Sequence, residues 1–129
     1  MLLDTSGLYC YLDAGDGRHH GAVSLLESAA VRLTHNDILA ELVALCGSRG
    51  IDRRVTLDFV SELANDSNVE VVWIGQEDHR AAISLLQARP DKDYSLCDAV
   101  SFLLMRQRGV TEALTTDHHF EQEGLVRLL

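Results

Sequence analysis

The chain is poor in several things at once: 129 residues contain one proline (Pro90), one lysine (Lys92) and one tryptophan (Trp73), with aromatics at 5%. A single proline excludes a polyproline segment or a Pro-rich linker and leaves long stretches free to be helical. Eleven basic residues stand against 20 acidic ones, for a net charge of −9. Bulk electrostatic adhesion to nucleic acid needs an excess of Lys and Arg to displace counterions, so any nucleic-acid substrate has to be met locally. Cys10, Cys46 and Cys97 are odd in number, far apart and free of any CxxC pair. That pattern excludes a disulfide framework or zinc finger and predicts small buried hydrophobes on helices. No apolar run is long enough to cross a bilayer, and the first one lacks a basic flank and is broken at Asp4 and Asp13. Neither a signal peptide nor a membrane contact is expected, which makes a cytoplasmic location the default.

What is present is an aliphatic interior, 47% hydrophobic, in a chain of the length of one domain, 1–129. Short apolar strands are expected at Met1–Leu3, Val31–Thr34, Val69–Ile74, Ala113–Thr116 and Leu125–Leu128. Between them fall helical patterns: Leu8–Leu12, Ala22–Ala29, a helix capped by Thr34 or Asn36 and ending near Gly47, and Asp52–Leu63 with a Val55/Phe59/Leu63 stripe. Glu77–Ala88 and a long helix capped by Ser95, with Asp98 at its third position, complete the set. Strands alternating with helices predict an α/β protein, a three-layer α/β/α sandwich around a five-stranded, mostly parallel sheet. Ligands of such sheets sit outside the carboxyl ends of the strands.

Four acids draw attention. Asp4 and Asp117 directly follow strands (MLLD, ALTTD), while Glu41 and Asp98 are expected in the first turns of helices (ILAELVAL, YSLCDAVSF). Each alone has an ordinary explanation, because the positive end of a helix dipole favours a carboxylate. That explanation suffices for Asp37, four residues before Glu41. Jointly, the four suggest a hard divalent cation, Mg²⁺ or Mn²⁺, held by a few carboxylates with room for substrate phosphate. The His19-His20 and His118-His119 pairs do not suggest zinc, because adjacent residues diverge on a helix and no further ligand stands at finger spacing. His118, next to Asp117, could touch substrate, though a solvated turn residue is the commoner case. His35 and His79 read as surface or helix-start residues, and Trp73 as core or interface. Arg80, Arg89, Arg106 and Arg108 are candidates for phosphate contacts, though solvated arginines are commoner. The apolar faces of Ile38–Leu45 and Val55–Leu63 exceed one small core unless one meets a partner.

The segments LLDTSGLYCYLD, NDILAELVAL, DKDYSLCDAVSF and ALTTDHHFEQEGL, in this order, resemble the PIN domain, and in size and spacing the VapC-type toxins of toxin–antitoxin pairs. The resemblance covers nearly the whole chain. It implies a metal-dependent endoribonuclease whose acidic residues are Asp4, Glu41, Asp98 and Asp117, leaving 5′-phosphate and 3′-hydroxyl products. Asp4, Asp98 and Asp117 would hold Mg²⁺ or Mn²⁺, and Glu41 would position or deprotonate the attacking water. Thr5, Ser6, Asp93, Ser95 and Thr116 fall on supporting positions, with Cys97 replacing the usual small or hydroxyl residue before the third acid. The resemblance also implies an RNA substrate, a VapB-type antitoxin and a homodimer.

Two other enzyme classes and one non-enzyme compete. A phosphatase with an Asp nucleophile wants a second Asp two residues on, where Ser6 stands. A phospho-receiver needs a lysine after a late strand, and Lys92 precedes a helix instead. A catalytically silent PIN-fold binding module has no need of all four acids.

Overall fold

A computed structural model describes all residues, 1–129. The sheet is built from β1 (Leu2–Leu3), β2 (Arg32–His35), β3 (Val69–Val72), β4 (Glu112–Leu114) and β5 (Val126–Arg127). The helices are α1 (Thr5–Leu12), α2 (His19–Ser28), α3 (Asn36–Ser48), α4 (Arg53–Asn65), α5 (Gln76–Gln87), α6 (Leu96–Arg108) and α7 (His119–Gln122). Every strand pairing is parallel, in the order β3-β2-β1-β4-β5. Parallel strands need crossover connections, and the helices that supply them cover both faces of the sheet, as the strand–helix alternation predicts.

The order of the strands locates the site. The chain moves outward on one side, β1 to β2 to β3, then α5 and α6 carry it back across β1 to β4 and β5. The segments that follow β1 and β4 therefore leave neighbouring strands for opposite faces. A crevice opens between them at the carboxyl rim. Asp4 and Asp117 lie in those two segments.

Beneath the rim, Leu2, Leu3, Leu33, Ala113 and Leu114 fill the middle of the sheet with almost no exposure. Helix α1 lies directly on β4: a Cβ added at Gly7 would stand 2.0 Å from the Leu114 carbonyl oxygen. That close approach explains a glycine inside a helix; α1 begins at Thr5, not at Leu8 as the pattern suggests, because Asp4 caps it. On the other face, edge-to-face contacts join Phe102 of α6 to Tyr94 and to Phe120 of α7, with centroids 5.1 and 5.0 Å apart. Glu123, almost buried, accepts from Tyr94 Oη at 3.0 Å and pairs with Arg106 and, at 3.8 Å, Arg89. This ties the end of α7 to α6.

Several expectations are corrected. His35 is fully buried, its Nε2 2.9 Å from Ser101 Oγ, and burial holds its pKa down to about 4. His35 is also the residue preceding α3; neither Thr34 nor Asn36 caps it, since Thr34 Oγ1 donates to Leu3 O and Asn36 Oδ1 accepts from Ile74 N–H. Trp73 is 75% exposed, just beyond the edge strand β3, so it is not core. In α4 the inward stripe is Thr56, Phe59 and Leu63, with Phe59 stacked on Tyr11 and Val55 half exposed. An open apolar groove of about 340 Å³ remains between α3 and α4, lined by Leu39, Val43, Leu57 and Val60 and reaching Trp73. No helix is long and apolar enough to cross a membrane.

Candidate active site

Asp4 leaves β1 and becomes the N-cap of α1, with its side chain accepting from Ser6 N–H at 3.3 Å. The same oxygen, Oδ2, accepts from Ser6 Oγ at 2.9 Å and Thr115 Oγ1 at 2.7 Å. Each hydroxyl is satisfied from behind: Thr116 N–H donates to Ser6 Oγ, and Asp117 N–H donates to Thr115 Oγ1. Both hydroxyl protons are then committed to Asp4, so the 3.0 Å contact between Ser6 and Thr115 is a contact of neighbours around one oxygen. Every bond falls on Oδ2, which leaves Oδ1 for the cleft.

Asp98 is the third residue of α6 and completes a capping box with Ser95. Its N–H donates to Ser95 Oγ at 3.0 Å, and its Oδ2 accepts from Ser95 N–H at 2.7 Å. Asp117 accepts from His119 N–H at 2.9 Å through Oδ1, a local turn that opens α7. Glu41 is the sixth residue of α3, hence in its second turn rather than its first, and its Oε2 accepts from Thr5 Oγ1 at 2.5 Å.

These side chains share a cleft of about 380 Å³ lined by Asp4, Thr5, Ser6, Glu41, Leu45, Asp93, Ser95, Asp98, Asp117 and His119. Five carboxylates and no Lys or Arg face one another there. The electrostatic cost shows in the acids themselves. Burial, with a contribution from Asp98, raises the Asp4 pKa to about 6 despite the three hydrogen bonds that favour its ionised form. Burial, then the charge of Asp117, raises that of Asp98. The Cys97 thiol behind them is pushed well up by burial and by Glu41, and so stays protonated.

Of the residues singled out from sequence, eight line the cleft: Asp4, Thr5, Ser6, Glu41, Asp93, Ser95, Asp98 and Asp117. Thr116 does not. Its backbone serves Ser6 and Arg127, while the hydroxyl that reaches Asp4 belongs to Thr115. Both threonines lie just beyond β4, and two in a row conceal which one turns its hydroxyl towards Asp4. His119, absent from the sequence-derived set, lines the cleft, whereas His118 is 65% exposed. The pair does not diverge as expected: the rings lie 4.4 Å apart, and with Asp117 they offer donor atoms within 4.8 Å of one another. None of the four arginines considered for RNA lines the cleft; Arg89 and Arg106 pair with Glu123, and Arg108 with Glu70.

A parallel sheet whose switch point gathers carboxylates into an oxygen-rich cleft defines the class, and the chain belongs to the PIN-domain family, whose model matches residues 1–124. Within that family it is similar to the 23S rRNA-specific endonuclease VapC20 of Mycobacterium tuberculosis. The identity is 31% over 129 residues, covering 99% of this chain and 97% of the relative, in strains CDC 1551 and H37Rv alike. The crystal structure of M. tuberculosis VapC20, described as a sarcin-ricin loop cleaving toxin, superposes with a TM-score of 0.88. That match has 28% identity and covers 97% of this chain and 95% of the other.

The donors fit a divalent cation. They are mostly carboxylate oxygens, raised acids show negative charge left without counter-charge, and a buried nitrogen, His119 Nδ1, has no hydrogen-bond partner.

Proposed function

We propose that the chain is a metal-dependent endoribonuclease, the toxin of a VapBC-type pair, and that it cuts RNA at the cleft between β1 and β4. The observation that carries this is the convergence of Asp4, Glu41, Asp98 and Asp117 in one cleft with no Lys or Arg among its lining side chains. A receiver domain or phosphatase is disfavoured by the same lining, which holds neither a lysine nor an Asp two residues after Asp4.

Asp4, Asp98 and Asp117 would hold Mg²⁺ or Mn²⁺, which when bound polarises the phosphoryl group and offsets the charge developing on the leaving oxygen. Asp4 is held in one orientation by Ser6 and Thr115, so Oδ1 is presented without a rotamer search. Thr5 engages Oε2 of Glu41, which leaves Oε1 to orient a water and take its proton. Asp98 is held by the Ser95 capping box, so its carboxylate keeps one orientation at the start of α6. With a net charge of −9, the approach of an RNA phosphate to this cleft depends on the cation.

The relatives direct the choice of RNA. Full-length similarity to a 23S rRNA-specific endonuclease makes 23S rRNA the first substrate to assay. Purified protein, freed of any antitoxin, is incubated with ribosomes and with naked rRNA, and new 5′ ends are mapped. Cleavage in Mg²⁺ or Mn²⁺ that stops with EDTA and is lost in Asp98→Asn supports the reading. Cleavage that survives EDTA, or inertness of the partner-free protein towards all RNA, sinks it. Assembly with a VapB-type antitoxin and into a homodimer belongs to the same proposal and is read from the mass of the co-expressed particle.

A further inference from the structure

One group in the cleft has no place in the scheme above. His119 Nδ1 is buried and has no hydrogen-bond partner. It nevertheless lies 3.2 Å from Asp117 Oδ1 and 3.8 Å from Asp98 Oδ2. The ring is not free to swing away: it stacks edge-on against Tyr94, with centroids 5.2 Å apart, and Tyr94 is anchored by Glu123. An oxygen at 3.2 Å that makes no hydrogen bond sits off the axis of the ring nitrogen. A shared proton would want it on that axis.

A cation explains the offset. Two ligands at neighbouring corners of an octahedron with bonds of about 2.1 Å are about 3.0 Å apart, and each lies well off the other's bonding direction. Both separations from His119 Nδ1 also fall below the span of about 4.2 Å between opposite ligands of such a cation. With the proton carried on Nε2, Nδ1 points its lone pair into the gap between the two carboxylates.

We infer that His119 Nδ1 is a metal ligand, completing with Asp98 and Asp117 a mixed nitrogen–oxygen site that favours Mn²⁺ and other first-row transition ions over Mg²⁺. An imidazole nitrogen binds borderline ions well and Mg²⁺ poorly, because Mg²⁺ takes oxygen ligands and sheds water reluctantly. Metal choice then becomes a property of this side chain rather than of the carboxylates alone. The inference rests on the proposed metal-dependent cleft and adds to it a ligand and a selectivity.

The probe is Mn²⁺ itself, added to purified, antitoxin-free protein and followed by electron spin-echo envelope modulation and calorimetry. Wild type should show a directly bonded ¹⁴N coupling that is lost in His119→Gln and retained in His118→Gln, whose ring also offers a nitrogen near Asp117 but is 65% exposed; a coupling lost in His118→Gln and kept in His119→Gln overturns the inference. Mn²⁺ affinity should fall about 10- to 100-fold in His119→Gln, with Mg²⁺ affinity changing less than about threefold. Mn²⁺ bound to wild type with no nitrogen coupling overturns the inference and leaves the carboxylate site standing. Absence of any Mn²⁺ or Mg²⁺ binding to wild type overturns both. Where His119→Gln folds poorly, His118→Gln decides the matter, since loss of the coupling there overturns the inference.

Discussion

Replacing Asp4 by Asn should make the metal-free protein more stable while destroying its function. Burial holds the Asp4 carboxyl at about 6, against 3.8 for a free one. A shift of that size means that keeping the group ionised in the fold costs about 3 kcal/mol above pH 7. Asn removes the charge and loses little else, since all three donors converge on one oxygen that an amide oxygen reproduces. For a chain of 129 residues, about 3 kcal/mol corresponds to a Tm increase of roughly 10 °C. The sign can be checked by pH. Because the folded pKa lies above the unfolded one, the wild type gains stability as pH falls from 6 towards 3.8, and the advantage of the variant should vanish near pH 4. His35 works in the opposite sense: its folded pKa, about 4, lies below the 6.5 of a free histidine. Its contribution, again about 3 kcal/mol, is complete above pH 6.5 and lost as pH falls towards 4. Asp4 offsets His35 in the wild type, so acid lability should be shallower there and steeper in Asp4→Asn, where of the two raised acids only Asp98 still opposes His35. The assay is urea unfolding in EDTA at pH 7.5, 6, 5 and 4. Equal or lower stability of Asp4→Asn at pH 7.5 would refute the electrostatic account, as would a stability difference that does not change with pH.

Other perturbations test separate parts of the structure. Gly7→Ala forces a methyl to within 2.0 Å of a backbone oxygen of β4; the clash should cost at least 3 kcal/mol, seen as loss of the folded fraction or a large drop in urea midpoint. Glu123→Gln breaks the pairing of a nearly buried carboxylate with Arg89 and Arg106, both close to half exposed; about 1–3 kcal/mol of stability should be lost, with amide exchange in α7 accelerating ahead of the rest of the chain. Thr115→Ala leaves Asp4 two donors in place of three and should raise its pKa further, weakening Mg²⁺ binding measurably by calorimetry, whereas Thr116→Ala should leave that affinity unchanged. Excess Mg²⁺ should raise the Tm of wild type with metal concentration and leave that of Asp98→Asn nearly flat.

The architecture was open to reading because a parallel sheet buried on both faces advertises itself as apolar triplets between helical periods, and all five strands were visible that way. What the pattern could not supply was direction within an element. His35 reads as a surface or helix-start residue; it does stand at the start of α3, yet it is wholly buried against Ser101. Trp73 reads as core or interface, and the core half fails: it is exposed, because β3 is the edge of the sheet and ends at Val72. The acids were legible from their neighbours, but their support was not. Thr115 and Thr116 read alike in sequence, and Gly7 has meaning only once α1 is seen on β4. His119 was hidden for a similar reason: beside His118 it reads as half of a solvated pair until Tyr94 fixes its ring.

Stability and function pull against each other at this site, and the fold shows how the conflict is contained. A switch point gathers segments from strands that are distant in sequence, so nothing local obliges the side chains placed there to be compatible. Five carboxylates line one cleft, and two of them are raised in pKa, by burial first and by a neighbouring acid second. The surrounding groups do not neutralise that charge; they restrain its direction. Ser6 and Thr115 hold Asp4, the Ser95 box holds Asp98, Thr5 holds Glu41, and the turn to His119 holds Asp117. Neutral donors of this kind fix geometry without occupying the position a cation would take. An arginine in any of those places would relieve the strain and fill the site. The absence of Lys and Arg from the lining leaves the site open to a divalent ion, and binding one would relieve part of the cost of keeping these acids ionised in the fold.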